Sequence, residues 1–273
     1  YHTAFNTQAK ERGKHKKGGD VFLPNRRPYS TFIIDEASMI CKGVMNNILT
    51  DTDAMNANII LIHDRAQLAA LTPDNSKWSD PKTRYFTYGE EYKKRQWYNI
   101  HLTKQMRQND PKFIEILTKM REIQDECKSL PRMVELLKER IVTEEEAKKM
   151  YRMDTKDILI ASTNDEVDRW NQIFLKLAEA QARQDGVLKL KLKYTVNGDK
   201  HVNNERVIMQ TEKTVTQEYA FASTVHVVQG LTFTDRLFVS LSMLRPNCNF
   251  DPHLFYTAVS RLKVMDNLYL VKV

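Results

Sequence analysis

The sequence predicts an α/β protein built as two strand–helix units, each around a parallel sheet. Three observations predict it. Thr31-Phe32-Ile33-Ile34, Asn58-Ile59-Ile60-Leu61-Ile62 and Asp157-Ile158-Leu159-Ile160-Ala161 are short, continuous apolar runs rich in β-branched residues. Such runs mark strands buried on both faces, as in a parallel sheet. Amphipathic helical patterns lie between them, and the alternation recurs on both sides of about residue 105, giving units 1–105 and 106–273.

In order along the chain, residues 6–29 lack periodicity and hold Gly13, Gly18, Gly19, Pro24 and Pro28, a loop or short hairpin inserted in the first unit. The two apolar runs 31–34 and 58–62 end in Asp35-Glu36 and His63-Asp64. A helix opens at Asp110-Pro111, with Asp110 as N-cap and Pro111 in the first turn. Phe113, Ile116, Leu117, Met120 and Ile123 share one face of it. Thr143 and Glu146 have the spacing of a capping box. The strand 157–161 leads into a helix with Val167, Trp170, Ile173, Phe174 and Leu177 turned inward. Residues 184–220 form a polar insertion with Gly186 and the hairpin signal Asn197-Gly198. The chain closes with a strand at 236–241, a helix near 253–262 and a strand at 267–273.

Composition sets the outer limits. In 273 residues, 41% hydrophobic and 28% charged side chains suffice for packed cores and exclude wholesale disorder. No apolar run approaches the roughly 20 residues of a membrane-spanning helix, so no membrane partner is expected. Cys41, Cys127 and Cys248 lie far apart without CxxC spacing, which argues against a disulfide framework or a cysteine zinc site and fits a reducing compartment. Eight glycines are less than half the usual share of about 7%, leaving few positions for glycine-built loops. The chain opens at Tyr1 without a signal-peptide pattern and reads as a piece of something longer. Of the net charge of +7, residues 1–30 carry seven cations and two anions. Concentrated positive charge suits a polyanion such as a phosphate backbone, and equally a solvated loop.

Asp35 and Glu36 stand at the carboxyl end of an apolar strand, where open parallel sheets gather their ligands. There Asp35 would hold Mg²⁺, directly or through water, and Glu36 would orient and deprotonate the water attacking a phosphoryl group. A strand that simply ends in acidic residues would look the same. Four further segments bear on the choice: His63-Asp64-Arg65-Ala66-Gln67-Leu68, Leu102-Thr103-Lys104-Gln105-Met106-Arg107-Gln108, Thr224-Val225-His226-Val227-Val228-Gln229-Gly230-Leu231-Thr232 and Tyr256-Thr257-Ala258-Val259-Ser260-Arg261. With Asp35-Glu36-Ala37-Ser38-Met39 they resemble, in order, motifs II to VI of the superfamily 1 helicases, in particular the 5′-to-3′ branch of RecD, Pif1 and phage Dda. Tyr1-His2-Thr3-Ala4-Phe5 is similar to motif Ib, so the likeness spans the chain.

The resemblance implies two RecA-like lobes, the first incomplete, that use ATP and Mg²⁺ to move along single-stranded DNA and open duplex DNA. Gln67 would read the γ-phosphate, while Arg107 and Arg261 would meet the charge that develops on it. Gln229 and Gly230 would lie beside the nucleotide. Thr224 and His226, alternating with valines as on a strand edge, would face the DNA together with His2 and the motif IVa pair Thr163-Asn164; Asn164 could otherwise be a helix N-cap. The basic segment 10–27 occupies the place of the strand-separating pin, with Phe22 as a wedge. An intracellular setting follows: nucleus, nucleoid, cytoplasm or an infected cell, with repair and recombination the typical tasks. A non-catalytic nucleic-acid-binding module and a viral RNA helicase are the alternatives.

This sequence also departs from the family. It contains no GxxxxGK[ST] loop: Gly13-Lys14-His15-Lys16-Lys17-Gly18 runs on into Gly19-Asp20, and no apolar strand precedes it. The resemblance therefore places the phosphate loop upstream of Tyr1, and the chain alone is expected to hydrolyse no ATP at a useful rate. His63 replaces a glycine of motif III, Ala69-Ala70 a Pro-Pro pair, and Lys104 an acidic residue or glutamine. The 184–220 insertion is shorter than the SH3-like domain of RecD and Pif1 enzymes, which implies reduced grip on DNA there.

Overall fold

Thr31–Ile34 forms strand β1 and pairs in parallel with β2, Asn58–Leu61, with Ile33 opposite Ile60. In this computed structural model the described residues are 30–70, 85–124, 129–196, 199–202, 215–244 and 252–273. The basic segment 10–27, Phe22 and His2 lie outside them. The chain divides into two units, Tyr1–Leu102 and Thr103–Val273.

In the first unit a 3₁₀ turn, Ala37–Met39, and a helix, Lys42–Ala54, connect β1 to β2. The helix buries Met45, Ile48, Leu49 and Thr52, one stripe at helical spacing, in a core with Phe32, Ala37 and Phe86. Near its carboxyl end Arg95 donates to the Leu49 carbonyl at 2.5 Å and pairs with Asp53 at 2.6 Å. Burial on both faces, expected for β1 and β2, is not what the structure shows. Phe32 faces the core, whereas Ile33, Ile60 and Ile62 are 66%, 48% and 47% exposed. Among the described residues the sheet has two strands and one helical layer, so only alternate side chains find packing partners.

The second unit holds five parallel strands in the order β3-β10-β9-β4-β8. These are Ile141–Thr143 (β3), Ile158–Ala161 (β4), Ala222–Thr224 (β8), Leu237–Ser240 (β9) and Leu268–Lys272 (β10). Every residue of the central β4 and β9 is buried, as their continuous apolar runs predict. The Pro111–Ile123 helix begins with Asp110 accepting from the Lys112 amide, and Phe113, Ile116, Leu117 and Met120 are buried. Thr143 and Glu146 complete a reciprocal capping box on the Glu144–Met150 helix. The 22-residue helix Asn164–Asp185 packs Val167, Trp170 and Phe174 against Tyr151, Phe221 and Phe238. Each large buried side chain in such a cluster contributes on the order of 2 kcal/mol. The helix ends at Gly186, whose φ of 73° places it in the left-handed region that glycine enters without a Cβ penalty.

The insertion after this helix is a three-stranded antiparallel sheet, ordered β6-β5-β7: Leu192–Val196 (β5), Asp199–Val202 (β6) and Val215–Tyr219 (β7). Val196 opposite Asp199 gives the hairpin register that Asn197-Gly198 predicts, those two residues lying outside the described set. The third strand was not legible, because its polar run Val-Thr-Gln-Glu-Tyr lacks an apolar face. Two side chains anchor the insertion to the unit. Asn171 donates to the Tyr219 carbonyl at 3.0 Å and accepts from the Ala222 amide at 2.9 Å. Buried Lys191 donates to Tyr151 Oη at 3.0 Å and to the carbonyls of Arg152 and Asp157 at 3.1 and 2.5 Å. Desolvation there pulls its ammonium down to about 8.

Asp157 secures the amino edge of the five-stranded sheet, just before β4. Its fully buried carboxylate accepts from the Arg152 amide and guanidinium, both at 3.0 Å, and from the Arg236 amide at 3.1 Å. Burial alone would raise its pKa, but these donors outweigh it and hold the carboxyl below its ordinary value. Asp157→Ala leaves two amides without their acceptor and is expected to cost on the order of 3 kcal/mol. Because the native carboxyl is the stronger acid, this stabilisation is complete above about pH 4, the unfolded value. It fades as pH falls through the native one, so the gap in denaturation midpoint between native and variant chains should close on acidification. Among the described residues no helix is long and apolar enough to cross a membrane.

Candidate functional site

The first unit gathers its predicted residues at the carboxyl ends of β1 and β2. Asp35 is exposed and accepts from the Glu36 amide at 2.8 Å. Glu36, half-buried, has φ 51° and ψ 38°, the left-handed region that residues with a side chain seldom occupy. Such a backbone costs roughly 1–3 kcal/mol and persists where neighbours over-determine it. Here the Ala37 amide donates to the Ile62 carbonyl at 2.9 Å and the Met39 amide to the Glu36 carbonyl at 3.0 Å. The strain therefore falls on one of the two acidic residues predicted for the site.

Gln67 follows β2 on a turn organised by Asp64, which sequence reasoning did not single out. One Asp64 carboxylate oxygen caps the Ala66 amide at 2.9 Å, and the other accepts from Gln67 Nε2 at 3.2 Å. An Asx turn at Asp64-Arg65-Ala66 was the available signal. Among the described residues, buried Gln67 Oε1 and the hydroxyl of buried Ser38 have no hydrogen-bond partner. His63, in the glycine position, sets its ring edge-on to Phe86 at 5.1 Å, and desolvation lowers its pKa. The described residues contain no cluster of three metal-ligating side chains. An exposed carboxylate such as Asp35 nonetheless fits Mg²⁺, which keeps several waters and takes most other ligands from substrate phosphates.

In the second unit three distant segments converge. Arg107 donates through Nε to Thr232 Oγ1 at 3.2 Å and through Nη1 to the Ser260 carbonyl at 3.1 Å. Gln108, buried and not among the predicted site residues, donates to the carbonyls of Ser260 and Leu262 at 3.0 and 2.7 Å. The Phe233 amide donates to the Arg261 carbonyl at 2.9 Å. Arg261 is 1% exposed, its guanidinium donating to the Thr257 carbonyl at 3.2 Å and to Ser260 Oγ at 3.4 Å. It lies in a turn beyond the Pro252–Val259 helix, not on the predicted helix. Gly230, with φ 81°, turns the chain after Gln229 between the valine segment and Thr232.

Thr163 and Thr224 share the carboxyl edge of the second sheet, since Ala161 of β4 pairs with Thr224 of β8. The N-cap of the Asn164–Asp185 helix is Thr163, whose hydroxyl accepts from the Glu166 amide at 3.3 Å, so Asn164 is its first helical residue and not its cap. His226 also departs from expectation. Thr224 ends β8, and Val225–Val228 form one helical turn, not a continued strand edge. Val225 and Val228 are both buried, a spacing of three that helical geometry satisfies and strand alternation cannot.

No protein-family model and no curated protein matches the sequence. Solved structures do match. A Pif1 helicase from Bacteroides, bound to single-stranded DNA, superposes with TM-score 0.59 at 17% identity, over 98% of this chain and 78% of that one. The Bacteroides enzyme in complex with ADP-AlF3 and single-stranded DNA gives 0.59 at 20% identity, over 98% and 77%. Pif1 from Candida albicans gives 0.58 at 12% identity, over 89% and 71%. At these TM-scores and this coverage, the chain has the α/β fold of the Pif1 helicases.

Proposed function

We propose that this chain is the motor portion of an ATP-dependent DNA helicase of the RecD/Pif1 type, translocating 5′ to 3′ on single-stranded DNA and opening duplexes. The observation that carries this reading is the convergence of Arg107, Thr232 and the Ser260-Arg261 turn, three helicase-like motifs far apart in sequence, on shared hydrogen bonds. Residues 1–105 act as the carboxyl-side part of one RecA-like lobe and 106–273 as the other. The sequence holds no GxxxxGK[ST] loop to cradle the β-phosphate, so this chain alone is expected to show negligible ATP turnover.

Asp35 is the residue to hold Mg²⁺, which when bound neutralises charge on the β- and γ-phosphates. Glu36 orients the attacking water and takes its proton as the new oxygen–phosphorus bond forms and the β–γ bridge breaks. Arg107 and Arg261 stabilise the negative charge that spreads over the γ-phosphoryl oxygens. Gln67 reads the γ-phosphate, and Gln229-Gly230 border the nucleotide. His2, Thr163, Asn164, Thr224 and His226 hold the DNA strand, so nucleotide-driven motion between the lobes becomes movement along it.

The chain itself should bind a single-stranded oligodeoxynucleotide, with log affinity falling linearly in log salt by about 0.7 per neutralised phosphate. Fluorescence anisotropy across a salt series measures this. Absent or salt-independent binding overturns the reading, and tighter binding to RNA of the same sequence favours an RNA helicase.

A further inference from the structure

Glu166 lies in the first turn of the Asn164–Asp185 helix, two residues past Asn164, and no role assigned above uses its side chain. It is half-buried, and both carboxylate oxygens are engaged. One accepts from Ser240 Oγ, the other from Ser242 Oγ at 2.5 Å. Ser240 is fully buried at the end of β9, and Ser242 is 9% exposed in the 3₁₀ turn that follows. The Glu166 amide meanwhile donates to the Thr163 hydroxyl. A carboxylate in the first turn is already favoured by the helix dipole, and hydroxyl bonds to a charged acceptor are about twice as strong as neutral ones. One residue thus fastens the helix start to the end of β9. β9 pairs with β4, and β4 runs into the exposed Thr163-Asn164 turn, beside which Thr224 closes β8.

We infer that Glu166 is a positioning residue for nucleic-acid binding: clamped by Ser240 and Ser242, it holds Thr163 and Asn164 in the one arrangement at the sheet edge that meets the strand. This rests on the DNA reading above. Helix ends fray, and a frayed first turn would present Thr163 and Asn164 in many geometries; the two serine hydroxyls on Glu166 oppose this.

The test is a double-mutant cycle on the full chain, read by anisotropy with a single-stranded oligodeoxynucleotide at fixed salt and accompanied by thermal unfolding. Glu166→Ala is expected to weaken binding roughly tenfold, and Asn164→Ala to a similar extent. The double variant should bind no more than about twofold worse than the weaker single one, since both act through one contact. Glu166→Gln, which can accept from one serine and donate to the other, should stay within about twofold of native. Ser242→Ala, a milder change, should fall between the native chain and Glu166→Ala. Additive losses, failure of glutamine to restore binding, or native affinity in Glu166→Ala overturns the positioning role. Native affinity in both Thr163→Ala and Asn164→Ala overturns instead the DNA contact on which it rests.

Discussion

Replacing Arg261 with alanine is expected, on the proposed helicase function, to lower DNA-stimulated ATP turnover of any longer chain that carries a phosphate loop by a factor of about 10³–10⁵, the range for an arginine that meets transition-state charge. The expectation belongs to the proposed function, in which Arg261 meets the γ-phosphoryl charge. Arg261 is 1% exposed, with Nε on the Thr257 carbonyl and Nη2 on Ser260 Oγ, so its guanidinium is held in one place by its own turn. Donors fixed in a water-poor site require little reorganisation as charge develops. Lysine keeps the charge but loses the planar fork, so Arg261→Lys should recover little. Arg107→Ala should lower turnover as well, and because Arg107 also bonds the Ser260 carbonyl, the two losses should not add. Single-turnover hydrolysis with DNA affinity measured in parallel decides the matter. Turnover within tenfold of native for Arg261→Ala would remove it from the reaction.

Glu36→Gln is expected to reduce turnover by about 10²–10⁴ while leaving DNA affinity unchanged, because the amide still occupies the site but cannot take a proton from water. A non-catalytic binding module would show no change in either quantity. Glu36→Gly separates function from stability further. Glycine enters the left-handed region without the Cβ penalty that Glu36 carries at φ 51°, so this variant should unfold at a higher temperature than native while losing turnover. A melting temperature below native for Glu36→Gly would show that the carboxylate, and not the backbone, dominates local stability.

Much of the architecture was readable before any coordinates. The apolar runs of β4 and β9 announce a parallel sheet because a strand covered on both faces has no polar side to show. Asp110, and Thr143 with Glu146, mark helix starts because each answers an unsatisfied backbone group within a few residues. The same rule misleads at β1 and β2, where an equally apolar run has one exposed face. It misleads again at Val225–Val228, where two valines three apart select a helical turn over a strand. Asp64, Gln108 and Glu166 went unnoticed because each acts on its neighbours through hydrogen bonds, and single polar residues carry no periodicity.

Local chemistry in the chain therefore settled the fold class, the starts of two helices and the order of the motif segments, since these depend on burial period and on groups a few residues apart. Tertiary contact settled which of those segments touch: that Arg107 reaches Thr232 and Ser260, that Asn171 and Lys191 anchor the inserted sheet, and that Glu166 closes on two serines some 75 positions later. Contacts across such separations are formed only when the sheet brings strand ends together, and no property of either residue alone encodes its partner.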